Sequence, residues 1–207
     1  MISLADQINS TADSMPGKVK EIDIFEVLSM GVATAGQNFG LLKGETIALT
    51  GSMLALGEAP ETARTGIINL LSSLQNAKNM TPEFQQGLAM MGTSADKLAA
   101  DIKSKPLPTL LKLMESMQGM DKASRLDVAT KLLGKGQDAN ALAKLVDNVG
   151  LLKKGLDTTS DSTKYSGSVH EAYSKSIETA DAKLTLFKNS LKEMAASAMT
   201  PLLPIFK

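Results

Sequence analysis

The sequence has no cysteine, no tryptophan and one histidine, and its only aromatic residues are five Phe and two Tyr among 207 residues. The lack of cysteine excludes disulfides, thiolate nucleophiles and ordinary zinc or iron–sulfur sites. So few aromatic side chains disfavour a surface on which bases stack. The 22 basic and 22 acidic residues cancel, so there is no cationic surplus for phosphate binding. We therefore expect no cofactor, no metal and no nucleic-acid binding of the chain's own.

Long apolar runs are also missing. None approaches the ~20 residues that would cross a bilayer, and the first residues lack the basic and apolar regions of a signal peptide. We expect no membrane span in this segment. The hydrophobic content of 43% nevertheless suits a folded chain of this length.

Helix-forming residues dominate, and helix start and stop signals divide the chain. Thr81 before Pro82 is a typical N-cap followed by a first-turn proline, Ser94 is a second N-cap, and Gly57 is a typical helix end. We predict an all-α fold, a multi-helix domain of short helical hairpins with a long C-terminal helix. The predicted helices are 4–15, about 18–36, 45–56, one from 60, 82–91, 95–102, 109–118, 121–133, 138–149 and one from 168 onward.

Three regions follow from this pattern. Residues 1–155 are predicted to be a helical core of short antiparallel helices, 156–167 a polar loop, and 168–207 a long C-terminal helix with an apolar tail. The segment 105–108, which contains two prolines, predicts an extended break. Because the sequence stops abruptly after an apolar stretch, we expect it to be a piece of a longer protein.

Residues that could support catalysis are scarce. His170 is the only histidine, and no nucleophile-elbow glycine pattern lies near it. Acidic pairs such as Asp157 and Asp161 lack the ligand density of a calcium loop. We expect no enzymatic activity.

Two further motifs have both a functional and a structural interpretation. Residues 134–139 match the nucleotide-binding pattern G-x-G-x-x-A, but a helical pattern precedes them where that fingerprint requires a strand, so we predict a helix–helix turn. Met114, Met117 and Met120 recur at helical spacing and could line an adaptable partner groove. We favour the alternative that these methionines fill the core.

The C-terminal region carries a pattern of apolar or small residues at steps of three and four, close to the 3.5-residue repeat of a coiled coil. Packing within the chain and pairing with another chain both fit it. We prefer contact with another chain and expect a homo-oligomer. The candidate interaction seam consists of Tyr173, Ile177, Ala180, Leu184, Phe187, Leu191 and Met194.

Four stretches follow one another in a distinctive order: 46–57 with 58–63, then 84–98 with its turn at 91–95, then 132–145, and last the predicted long helix 172–199 followed by 200–204. This order of segments resembles the core region of phage tail tape measure proteins, which also occur in prophages, and the resemblance covers roughly residues 20 to 205. Leu133 departs from this family, which often has Phe before the glycine that follows.

The resemblance implies a structural protein that sets tail length by templating assembly of the tail tube and is ejected during DNA delivery. It implies tail-tube subunits and tail assembly chaperones as partners. The implied location is the lumen of the virion tail, and the host cytoplasm during assembly. We expect this segment to be a compact block rather than a rod, because interior prolines and glycines interrupt long helices.

Two other classes of protein fit the residues alone. One is a helical adaptor or chaperone-like module that binds an amphipathic partner helix, with a groove near Met114–Met120. The other is a membrane-active helical protein, in which 202–206 would begin an interfacial anchor.

Overall fold

The computed structural model describes residues 4–17, 19–172, 174–176 and 179. The chain divides into a compact unit that ends at Ser166 and a second unit that begins at Gly167. The described residues form helices and no strand, which confirms the predicted all-α fold. In the second unit, residues 168–172 and 174–176 are helical.

Short turns connect the helices of the compact unit, and Ala77–Asn79 forms a 3₁₀ turn. In chain order the helices are α1 Leu4–Ser14, α2 Glu21–Val27, α3 Ala33–Phe39, α4 Lys43–Ala55, α5 Pro60–Gln75, α6 Pro82–Met90, α7 Ala95–Ser104, α8 Pro106–Gln118, α9 Lys122–Leu133, α10 Gln137–Asp147, α11 Val149–Ser160 and α12 Ser162–Tyr165.

Side-chain caps fix several of the helix starts that the sequence predicted. Thr81, Ser94 and Asp121 each accept a hydrogen bond from a backbone N–H group of the helical turn that follows. Such caps satisfy donors that have no partner within the helix. Thr81, Ser94 and Asp121 therefore define where α6, α7 and α9 begin.

The predicted continuous helix over about 18–36 is wrong. A π-helical turn at Leu28–Val32 separates α2 from α3. Within it, Gly31 has a φ of 109°, which a residue with a Cβ rarely adopts. Arg64 of α5 donates a hydrogen bond from Nε to the carbonyl oxygen of Met30, 2.9 Å away. The break is thus held from a neighbouring helix that sequence periodicity does not reveal.

The predicted extended break at 105–108 is also wrong. Pro106 begins α8, so only Lys105 lies between α7 and α8. Proline suits this position because the first turn of a helix has no intrahelical partner for its N–H groups.

The predicted polar loop over 156–167 is replaced by the end of α11 and by α12. Thr158, Thr159 and Tyr165 are buried, and the two threonine hydroxyls donate hydrogen bonds to carbonyl oxygens one turn earlier in α11. Because these hydroxyls find partners inside their own helix, a polar sequence can pack against the core.

Helix α4 lies at the centre of the compact unit and packs on α1, α5 and α11. A Cβ added at Gly155 of α11 would lie 3.1 Å from the Cβ of Ala48, so α4 and α11 approach very closely. Helix α5 packs on α2 and α3 and also on α9 and α10. Helices α2 and α9 nevertheless keep large apolar side chains exposed, Ile22 and Phe25 on α2 and Leu126 on α9.

Candidate interaction surfaces

The predicted interaction seam cannot be placed in the fold, because all seven of its residues, from Tyr173 to Met194, lie outside the described residues. Its pairing with another chain stays a prediction. His170 is exposed in the helical segment 168–172.

The segment 134–139 contains a turn between two helices, as predicted, and its last three residues begin α10. Gly134 and Gly136 have φ values of 79° and 146°, which favour glycine. The carboxylate of Asp138, in the first turn of α10, accepts hydrogen bonds from Thr65 Oγ1 at 3.0 Å and Asn69 Nδ2 at 2.6 Å. These hydrogen bonds connect the start of α10 to α5.

Met114 and Met117 are 1% and 2% exposed, and Met120 is half-buried against the same core. The prediction that these methionines fill the core is confirmed. A partner groove lined by Met114 and Met117, as the adaptor interpretation required, is not formed.

Helix α2 presents apolar side chains to the outside. Ile24 and Val27 are fully buried, whereas Ile22 and Phe25 are 62% and 54% exposed. Glu21 and Glu26 are exposed beside them. We call these four exposed residues, Glu21, Ile22, Phe25 and Glu26, the α2 surface.

The α2 surface is acidic as well as apolar. Across 20–29 the charged residues are Lys20 and three acids, which include Asp23. Within the described part of the chain, neither Glu21 nor Glu26 forms an ion pair. Exposed large apolar residues that cluster on one helix face are typical of contact surfaces, whereas scattered ones are not.

A cleft of about 600 Å³ lies between the start of α5 and helices α9 and α10. We call it the α9 cleft. Leu126 is 42% exposed within it. The charged residues that line the cleft are Glu58, Lys122, Arg125, Lys144 and Asp147.

Most charges of the α9 cleft are paired inside the domain. Lys144 Nζ lies 2.5 Å from Glu58 Oε1, and Arg125 forms an ion pair with Asp147. Lys122 is exposed and has no ion pair among the described residues. The cleft therefore combines an exposed leucine with one unpaired positive charge.

Arg125 has a structural role at the wall of this cleft. Its guanidinium donates hydrogen bonds to the carbonyl oxygens of Met117, Gln118 and Met120 at 3.2, 3.0 and 2.8 Å. The carbonyls of Met117 and Gln118 end α8 and that of Met120 follows it; oxygens at a helix end lack intrahelical partners, and a cation there is favourable. Arg125 is thus occupied, which leaves Lys122 as the accessible cation.

The first turn of α9 is fixed by Asp121. A hydrogen bond from the Ser124 hydroxyl, and further bonds from the backbone N–H groups of Ser124 and Ala123, hold the pKa of the Asp121 carboxyl below its usual value. The bonds favour the charged form of the carboxyl. This cap positions the adjacent Lys122 at the mouth of the cleft.

Helix α5 contacts elements of both surfaces. Arg64 bonds to the turn that follows α2, whereas Thr65 bonds to Asp138 of α10. The α2 surface and the α9 cleft share no residue.

Sequence reasoning missed both surfaces. A signal was present for α2, where Ile22 and Phe25 fall beside the buried stripe of Ile24 and Val27 and so widen the apolar face. No comparable signal exists for the cleft, which depends on the packing of three helices.

The described residues hold no group of three potential metal ligands, and none of their helices is long and apolar enough to cross a membrane. The described fold is all-helical, and its candidate functional sites are contact surfaces. The chain belongs to the family of phage-related minor tail proteins, whose sequence model matches residues 1–134, well over half of its length. It is therefore a structural component of the phage tail. No curated protein and no solved structure matches the chain.

Proposed function

We propose that this tail protein is a tape measure protein, which sets tail length and is ejected during DNA delivery. The observation that carries the proposal is the ordered resemblance of 46–63, 84–98 and 132–145 to the core region of that class. These stretches form successive helical pairs, namely α4 with the start of α5, α6 with α7, and α9 with α10.

In this proposal the chain acts by occupying space and by contact, with no catalytic step. It would lie in the lumen of the tail, after assembly in the host cytoplasm with tail-tube subunits and tail assembly chaperones. The compact unit would then be a folded block within the tape.

A length-change experiment in the phage tests the proposal. Inserting a 42-residue helical segment after Ser166, at the boundary between the two units, adds about 60 Å if it is helical, at ~1.5 Å per residue. A tape measure predicts tails that are longer by up to that amount in electron micrographs, and about half as much for a 21-residue insertion.

The matched control is Gly150→Ala, an exposed change that keeps the chain length and should leave tail length unchanged. Tails of normal length in both insertion phages would contradict the proposal and leave a tail component that does not measure length.

A further inference from the structure

We propose that the α2 surface of one copy docks into the α9 cleft of a second copy. The inference concerns contact between copies of this chain and does not depend on whether the protein measures tail length.

Both surfaces expose apolar side chains. Ile22 and Phe25 are more than half exposed on α2, and Leu126 is 42% exposed in the cleft. Burying such side chains against one another removes apolar area from water, which is favourable. A cleft of about 600 Å³ has room for the two α2 side chains.

Charge decides which surface is the partner of α2. If two α2 surfaces met face to face, Glu21 and Glu26 of each copy would lie opposite acids of the other, which is unfavourable. In the α9 cleft, the ion pairs of Arg125 and Lys144 leave Lys122 as the unpaired charge. Its positive charge complements the acids of α2.

The two surfaces are formed by different residues on different helices, so each copy offers both. A contact between two different surfaces is heterologous, and it continues from copy to copy until a ring closes or a filament forms. Only three exposed large apolar side chains take part, Ile22, Phe25 and Leu126, so we expect weak, concentration-dependent association of the kind seen for small interfaces.

Charge exchange between copies tests the contact in the full 207-residue chain. Glu26→Lys and Lys122→Glu each place like charges at the interface, so each variant alone should associate about tenfold more weakly or worse. In an equimolar mixture, the α2 surface of the Glu26→Lys copy meets the cleft of the Lys122→Glu copy with opposite charges, while the remaining surfaces keep their natural charges. Sedimentation velocity should show association restored in the mixture.

Phe25→Ser provides an independent apolar test, and it should weaken association without loss of helicity or thermal stability, because Phe25 is 54% exposed. Lys97→Glu is the control for charge reversal, since Lys97 is exposed on α7 and lines neither surface. It should associate like the wild type.

Three results would overturn the proposal: a wild-type chain that stays monomeric up to about 1 mM, the upper end of weak binding, single variants that associate as the wild type does, or a mixture that fails to recover. Wild-type association that survives Glu26→Lys, Lys122→Glu and Phe25→Ser would place the contact elsewhere, for example in the C-terminal seam.

Discussion

Helices α4 and α2 pack side by side, and each departs from the usual pattern of apolar residues inside and polar residues outside. On α4, Thr46, Thr50 and Ser52 are buried. On α2, Ile22 and Phe25 are exposed. The two departures have different physical explanations.

The buried hydroxyls of α4 are explained within the helix. Thr46, Thr50 and Ser52 donate hydrogen bonds to carbonyl oxygens one turn earlier, at 3.1, 2.9 and 2.7 Å. These bonds remove most of the cost of burying the hydroxyl groups. Small side chains then let neighbouring helices approach α4 closely.

The exposed apolar residues of α2 have no such explanation within the compact unit. Ile22 and Phe25 leave more than half of their surface in water, whereas Ile24 and Val27 on the same helix are fully buried. A polar group inside the core is explained by its internal partner. An apolar cluster on the surface points instead to a partner outside.

The largest expected difference is in the free energy of unfolding when a buried isoleucine of α4 or an exposed isoleucine of α2 is replaced. Ile47→Ala in α4 should lower the free energy of unfolding by about 2–5 kcal/mol, because Ile47 is 1% exposed and its removal leaves a cavity. Ile22→Ala in α2 should change it by less than about 0.5 kcal/mol. Urea denaturation at a dilution where the chain is monomeric measures both.

Equal losses for Ile22→Ala and Ile47→Ala would mean that Ile22 already supports the fold. The α2 surface would then need no external partner, and the comparison between the two helices would fail.

A smaller effect is expected where α4 meets α1. A Cβ added at Gly51 would lie 2.6 Å from Thr11 Cγ2. Gly51→Ala should therefore lower the free energy of unfolding by about 1–2 kcal/mol, since the cost of overpacking exceeds the gain of ~1 kcal/mol in helix propensity. Thermal and urea unfolding measure the change.

Two variants sharpen this prediction. Gly150→Ala, with open space around its added Cβ, should raise stability by about 0.5–1 kcal/mol, because alanine favours the helix. Thr11→Ala combined with Gly51→Ala removes the colliding methyl and should recover most of the loss. A double variant no better than Gly51→Ala alone would place the strain elsewhere.

The sequence predicts the helical class and most helix starts because caps and first-turn prolines act locally. Thr81 and Ser94 cap helices in the fold as their neighbours in sequence suggest. Likewise, Gly134 and Gly136 predict a turn because they lie between two helical patterns. These features require no knowledge of tertiary packing.

The missed features are those that depend on distant contacts. The break at Gly31 is held by Arg64, 33 residues further along the sequence, at the neighbouring Met30 carbonyl. The polar residues of 156–160 become helical because α4 offers a close-packed surface at Ala48 and Gly44. The α9 cleft likewise arises from three helices that periodicity cannot bring together.

The smallest effect is expected on the Tm, from the N-cap of α9, the Asp121 carboxyl that precedes Lys122. Bonds from Ser124 and from backbone N–H groups lower the pKa of Asp121 from its usual 3.8. A carboxyl with a lowered pKa in the folded state stabilises the fold above its unfolded pKa, and this contribution is lost as the pH falls from about 3.8 towards the folded value.

Asp121→Asn keeps a capping oxygen but does not titrate. We therefore expect a smaller decrease in Tm between pH 7 and pH 3 for Asp121→Asn than for the wild type, and an intermediate decrease for Ser124→Ala, which removes the largest cause of the shift. Other carboxyls titrate equally in all three proteins, so the difference isolates this cap. Identical decreases in Tm would show that the Asp121 bonds do not persist in solution, and that Lys122 is positioned by the packing of α9 alone.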